Sequence, residues 1–132
     1  MLRPLLMLLL AVTALTPTAC GGDDKEDVEQ TVRDFVSVSR EPDADMFCGE
    51  ILSQELLEQT TGATGDNAED QCRRQLEGAQ GVNAELVEIK RTEIDGDDAT
   101  VQAVIRAQGR SRTQTLRLVK EDGRWKLSGG AP

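Results

Sequence analysis

The chain has 132 residues, 15 Lys and Arg against 24 Asp and Glu, a formal net charge of −9, no histidine, no tyrosine, two phenylalanines and one tryptophan. That length supports one core and one domain, and the acidic balance argues against a nucleic-acid partner, because binding a phosphate backbone relies on Lys and Arg. Without His or Tyr, the commonest general acid–base side chain and the phenol of an oxyanion hole are missing, and only carboxylates such as Asp34 or Asp45 are left as imaginable bases.

Residues 1–19 have the layout of a signal peptide: Arg3 gives a positive start, Leu5 to Leu15 an apolar core, and Ala19 a small residue before a cut. The apolar run is shorter than the roughly 20 residues of a membrane span, so the segment predicts export. The run Leu15-Thr16-Pro17-Thr18-Ala19-Cys20 resembles the lipobox of bacterial lipoproteins, in which a small residue precedes the cysteine that receives lipid; Pro17 stands where that group has an aliphatic residue. The resemblance implies acylation of Cys20 and anchoring at the outer face of the cytoplasmic membrane. Gly21 to Asp27 contain only Gly, Asp, Lys and Glu, so residues 20–27 read as a lipidated, solvated tether.

A first helix is predicted over Asp24 to Arg40. Val28, Val32, Phe35, Val36 and Ser39 form one helical stripe, the acidic residues from Asp23 to Asp27 suit the positive end of the helix dipole, and Pro42 stops the helix. From Asp43 to Gln59 the apolar doublets Met46-Phe47, Ile51-Leu52 and Leu56-Leu57 fall five apart, which predicts a short turn, a break at Gly49 and a short helix with Ser53 as N-cap. Thr60 to Asp66 reads as a loop; it lacks the Gly-Lys-Ser/Thr ending of a phosphate loop and follows no strand. Asn67 is expected to cap a third helix with Cys72 and Leu76 on its inner face and Gly78 as its stop.

If Cys20 carries lipid, Cys48 and Cys72 remain as a pair in an exported domain, where disulfides persist. Closing that loop is worth about 3 kcal/mol in chain entropy. With no histidine and no Cys-x-x-Cys, neither a zinc site nor a redox pair fits, and no metal or other cofactor is expected.

Four strands follow. Val82 to Ile94 supplies the first, with Leu86, Val87 and Ile89 as its apolar part, and Asp95-Gly96-Asp97 turns the chain; Asp95 to Asp98 lacks the spaced ligands of a calcium loop. Ala99, Val101, Ala103, Ile105 and Ala107 alternate with polar residues, a strand with one buried face. After a turn over Gln108 to Ser111, Leu116 and Leu118 fall on one side of the third strand and Thr115, Arg117 and Val119 on the other. Asp122-Gly123 reverses the chain, and Trp125 and Leu127 share a face of the last strand. The domain is expected over residues 28–128, with 129–132 as a tail. Charge divides between the halves: residues 20–81 hold 5 basic and 16 acidic side chains, residues 82–132 hold 9 and 8.

This order, with Met46-Phe47-Cys48-Gly49-Glu50, Asp70-Gln71-Cys72-Arg73-Arg74-Gln75-Leu76-Glu77-Gly78 and Glu121-Asp122-Gly123-Arg124-Trp125-Lys126-Leu127, resembles small bacterial envelope lipoproteins of the nuclear-transport-factor-2-like (SnoaL-like, cystatin-like cone) group. The resemblance implies an α+β fold in which N-terminal helices pack on a curved four-stranded antiparallel sheet, often leaving a conical pocket. It carries no reaction with it. The expectation is a lipid-anchored domain without catalytic residues that binds a small apolar ligand or a protein partner at the cell envelope. The alternatives are a structural protein self-associating as a homodimer through the outward sheet face at Val104 and Val119, or a carboxylate-dependent enzyme in the cone. An enclosed cavity with a buried carboxylate favours the enzyme, an apolar cavity the binder, and a filled one the interaction module.

Overall fold

Alternation determines the sheet. Ala99, Val101, Ala103 and Ile105 are buried while Gln102 and Arg106 are exposed, so strand β2 (Asp98–Ala107) has one apolar face. It lies between β1 (Ala84–Asp95) and β3 (Arg110–Glu121), and β4 (Arg124–Ala131) completes an antiparallel meander of order β1-β2-β3-β4. These elements come from a computed structural model that describes residues 21–131. The export segment 1–19, the acylation site Cys20 and Pro132 lie outside the described residues.

Two of the hairpins close on two residues with positive φ, Gln108-Gly109 at 52° and 75° and Asp122-Gly123 at 50° and 77°. Turns with positive φ at both central positions match the right-handed twist of the strands they join. The turn expected over Gln108 to Ser111 is therefore shorter, and Arg110 and Ser111 already belong to β3. In β1, register shifts between Leu86 and Glu88 and between Ile89 and Arg91 leave Val87, expected among the apolar face, 45% exposed. The last strand also runs further than expected: Gly129 to Ala131 pair with β3, so the anticipated tail is strand.

Helix α1 (Gly21–Arg40) already includes residues 21–27, so the stretch expected to be a tether is helical. The cause is a polar clasp. The Asp24 carboxylate accepts from Lys120 Nζ at 3.0 Å and from Trp125 Nε1 at 3.2 Å, and Thr31 Oγ1 donates to the Trp125 carbonyl at 3.0 Å. Lys120 also lies 5.8 Å from the centre of the Trp125 ring. Beyond the clasp, Val28, Val32, Val36 and Val38 are buried, with Phe35 half-buried beside them.

The rest of the helical layer is short pieces: α2 (Ala44–Met46), a π turn (Phe47–Ile51), α3 (Gln54–Thr61) and α4 (Asp66–Leu76). The break falls at Leu52-Ser53 and not at Gly49, because Leu52 bridges to Leu127 and Ser53 N–H donates to the Leu127 carbonyl at 2.9 Å. Ser53 Oγ, fully buried, then accepts from Leu56 N–H at 3.2 Å, a cap worth about 1 kcal/mol. Gly65, with φ of 59°, stands at the start of α4 where Asn67 was expected, and Asn67 lies inside the helix. The Cys48–Cys72 disulfide joins the π turn to α4. Helical Val28, Val32, Ile51 and Leu57 meet Val101, Leu116, Leu118, Trp125 and Leu127 of the sheet in one core.

Candidate functional site

Positions directly opposite one another across an antiparallel pair share a face. Val101 opposes Leu116, Ala103 opposes Gln114, Ile105 opposes Arg112 and Ala107 opposes Arg110, so the concave face of β3 changes from apolar to polar and cationic toward its N-terminal end. The neighbouring strand ends first: Ala131 of β4 stands opposite Thr115, leaving Arg110 to Gln114 without a partner on that side. The last β4 residues before it are Gly129 and Gly130; Gly130, opposite Leu116, carries no side chain to fill the space.

The result is an open mouth beyond the packed core. One hollow of about 310 Å³ is bounded by Phe35, Leu56, Leu116, Leu127 and the two glycines, and reaches Gln114. Gln114 also lines a second, of about 550 Å³, along Ile105, Ala107, Arg110 and Arg112. On the other flank of Phe35 a third, of about 200 Å³, opens between Phe47, Leu76 and Val82. The Phe35 and Phe47 rings stack with centroids 6.4 Å apart, forming the ridge that separates the hollows. Neither of the two larger hollows is lined by a carboxylate.

Polar chemistry gathers elsewhere. Asp27, Asp34, Glu50 and Arg124 line a cleft of about 270 Å³ against Trp125. Asp34, the first imagined base, is there and accepts from Gln30 Nε2 at 2.8 Å. Asp45, the second, is exposed on α2, 2.8 Å from Arg73 Nε. The structure therefore does not bring the two together, and neither lines the mouth. Among the described residues no group of three or more Cys, Asp or Glu side chains is placed to hold a metal, and no helix is long and apolar enough to cross a membrane. Asp95 and Asp98 face each other across the β1–β2 turn.

Charge perturbation is confined to structural contacts. The Lys120 hydrogen bond, helped by Trp125, holds the Asp24 carboxyl below its ordinary range, and the same bond raises Lys120. Gln54 and the Gly65 N–H likewise lower Glu58 where it ties α3 to the loop before α4.

Cys48 and Cys72 are joined, the pair expected if Cys20 carries lipid; Cys20 lies outside the described residues. The inward arginine was missed in the sequence. Its signal was present, since carrying the period of two back from Leu118 and Leu116 puts Gln114 and Arg112 on the inner face.

No protein-family model matches the chain, and no curated protein matches it. Among solved structures it is similar to a protein of unknown function with a cystatin-like fold from Nostoc punctiforme, at 14% identity and a TM-score of 0.55, over 83% of this chain and 89% of that one. The fold is cystatin-like. A candidate polyketide cyclase from Sinorhizobium meliloti is also similar, with a TM-score of 0.47 and 22% identity over 79% of this chain and 96% of that one. The cystatin-like architecture is the α+β cone expected from the resemblance to the nuclear-transport-factor-2-like group, with helices on one face of a four-stranded antiparallel sheet. In this cystatin-like chain the helices pack on the sheet in one core and leave a hollow beside Phe35, Leu56 and Leu116.

Proposed function

We propose that this chain is an exported, lipid-anchored binding domain without catalytic activity, which takes a ligand with an apolar part in the mouth of its cone. The observation that carries the reading is the hollow bounded by Phe35, Leu56, Leu116 and Leu127, apolar, open, and free of carboxylates. Pockets of that character, apolar with a few polar groups at one end, are the usual form of a small-molecule site. Export is supported by the signal-peptide layout of residues 1–19 and by a disulfide, which persists outside the cytoplasm. Anchoring is supported by Cys20 following Ala19. The non-catalytic reading is supported by the positions of Asp34 and Asp45, both outside the mouth.

The test is titration of the mature domain with the neutral apolar dye N-phenyl-1-naphthylamine. Saturable binding that is lost in Gln114→Trp, whose indole occupies the hollow, is the expected result. Absence of saturable binding, or binding indifferent to that substitution, overturns the reading.

A further inference from the structure

We propose that the mouth selects an anionic amphiphile: an apolar chain lies along Phe35, Leu56 and Leu116, and an oxyanion head group, carboxylate or phosphate, is held by Arg112 with Arg110 and Gln114 beside it. The inference rests on the proposed binding function of the same hollow and adds the class of ligand.

The first ground is register. Arg112 stands opposite buried Ile105, and Gln114 opposite buried Ala103, on the face that elsewhere forms the core. A guanidinium is tolerated there because the sheet outruns both β4 and the helices, so the hollow stays open to water. The second ground is pairing. No carboxylate of the described residues lies within 4.0 Å of Arg110 or Arg112; Arg40, Arg74, Arg117 and Arg124 are likewise without an ion pair, but of these six only Arg110 and Arg112 line the hollow along Ile105 and Ala107. The nearby Glu85 is taken by Arg106, on the opposite face of the sheet. Two guanidinium groups without an ion-pair partner thus line a hollow that shares Gln114 with the apolar one, in a chain that is acidic overall. The third ground is geometry: a guanidinium offers its N–H groups as a planar fork that fits the two oxygens of a carboxylate or phosphate. Gln114 lines both hollows, so an occupant of either meets its side chain. Its amide can donate to a head group while the chain continues toward Phe35.

The acidic charge of the molecule does not cancel this. Sixteen of its carboxylates fall in residues 20–81, while residues 82–132, the sheet half, hold nine basic against eight acidic side chains.

The experiment measures binding of dodecanoate, dodecyl phosphate and dodecan-1-ol to the mature domain, each below its micelle-forming concentration, with acetate and inorganic phosphate as heads without tails. The expected result is that at least one anionic amphiphile binds about tenfold or more tightly than the alcohol, as charge-assisted hydrogen bonds allow, and that the heads alone bind weakly. Comparison of dodecanoate with dodecyl phosphate decides between a fatty-acid-like and a phospholipid-like head. Arg112→Gln should bring the anion down to the affinity of the alcohol while leaving dye binding intact. Arg117→Gln, on the convex face of the same strand, removes the same charge and should change neither. Equal affinity for alcohol and anion, or an equal effect of the two arginine substitutions, overturns the inference. Dye binding that survives such a result leaves the binding function standing, and loss of dye binding in the unaltered domain removes both.

Discussion

Asp24 joins three elements through one carboxylate. Lys120 and Trp125 both donate to Asp24 Oδ1, and the clasp fixes the start of α1 against the β3–β4 hairpin. Because the folded carboxyl sits below its ordinary value of 3.8, the unfolded chain takes up a proton first as the solution is acidified. The stability that Asp24 contributes is therefore complete above 3.8 and drains away as pH falls toward the lower folded value. Lys120 is shifted the other way: its contribution is complete below 10.5 and is lost as pH rises through the elevated value. Asp24→Asn is expected to lower the melting temperature at pH 7 and to flatten its decline below pH 4 relative to the unaltered chain, measured by circular dichroism. Parallel acid limbs for the two proteins would show that the clasp does not hold the helix. Composition alone made residues 21–27 look like tether. Gly, Asp, Lys and Glu have nothing to bury, and the distant donors on Lys120 and Trp125 are invisible in a local reading.

The elements differ in how far they could be read. The sheet was legible because a period of two records which side of each strand is buried, and Leu116, Leu118, Trp125 and Leu127 all fall on the face assigned to them. Ser53 was legible as a cap because only its hydroxyl could serve the helix beginning at Gln54. The π turn was not, although apolar doublets five apart carried a hint of it: Leu52 N–H donates to the Phe47 carbonyl five residues back. The doublets read instead as a short turn with a break at Gly49. At this scale the disulfide is the main fastener. Cys48 lies in the π turn and Cys72 in α4, where Arg73 also draws Asp45, Glu69 and Asp70 to within 2.8, 2.6 and 3.6 Å. Cys48→Ser and Cys72→Ser are each expected to cost about 3 kcal/mol in denaturant unfolding, the double variant adding little. Additive losses would mean that the two sulfurs act separately.

For the whole molecule, the cone was implied by the resemblance to the nuclear-transport-factor-2-like group, while the order of elements was legible from alternation, turns and helical stripes. The open mouth was not, because it depends on where β4 ends relative to β3, and Arg110 and Ser111 had been assigned to a turn. The proposed anchor has its own test. Cys20→Ala is expected to move the protein from the membrane fraction of its host to the soluble fraction and to remove an acyl adduct from the mature terminus in mass spectrometry. Retention in the membrane fraction without that adduct would show that something other than lipid on Cys20 holds it.

The length of α1 separates the two ends of the molecule. Twenty residues at about 1.5 Å each make a rod of about 30 Å, clasped at one end by Lys120 and Trp125 and meeting the mouth near Phe35 at the other. Gly21 is already helical, so under the proposed lipidation of Cys20 little slack separates bilayer and domain. On the proposed anchoring at Cys20, the rod acts as a mast that carries the mouth toward the aqueous side, within reach of dissolved cargo rather than of the leaflet beneath.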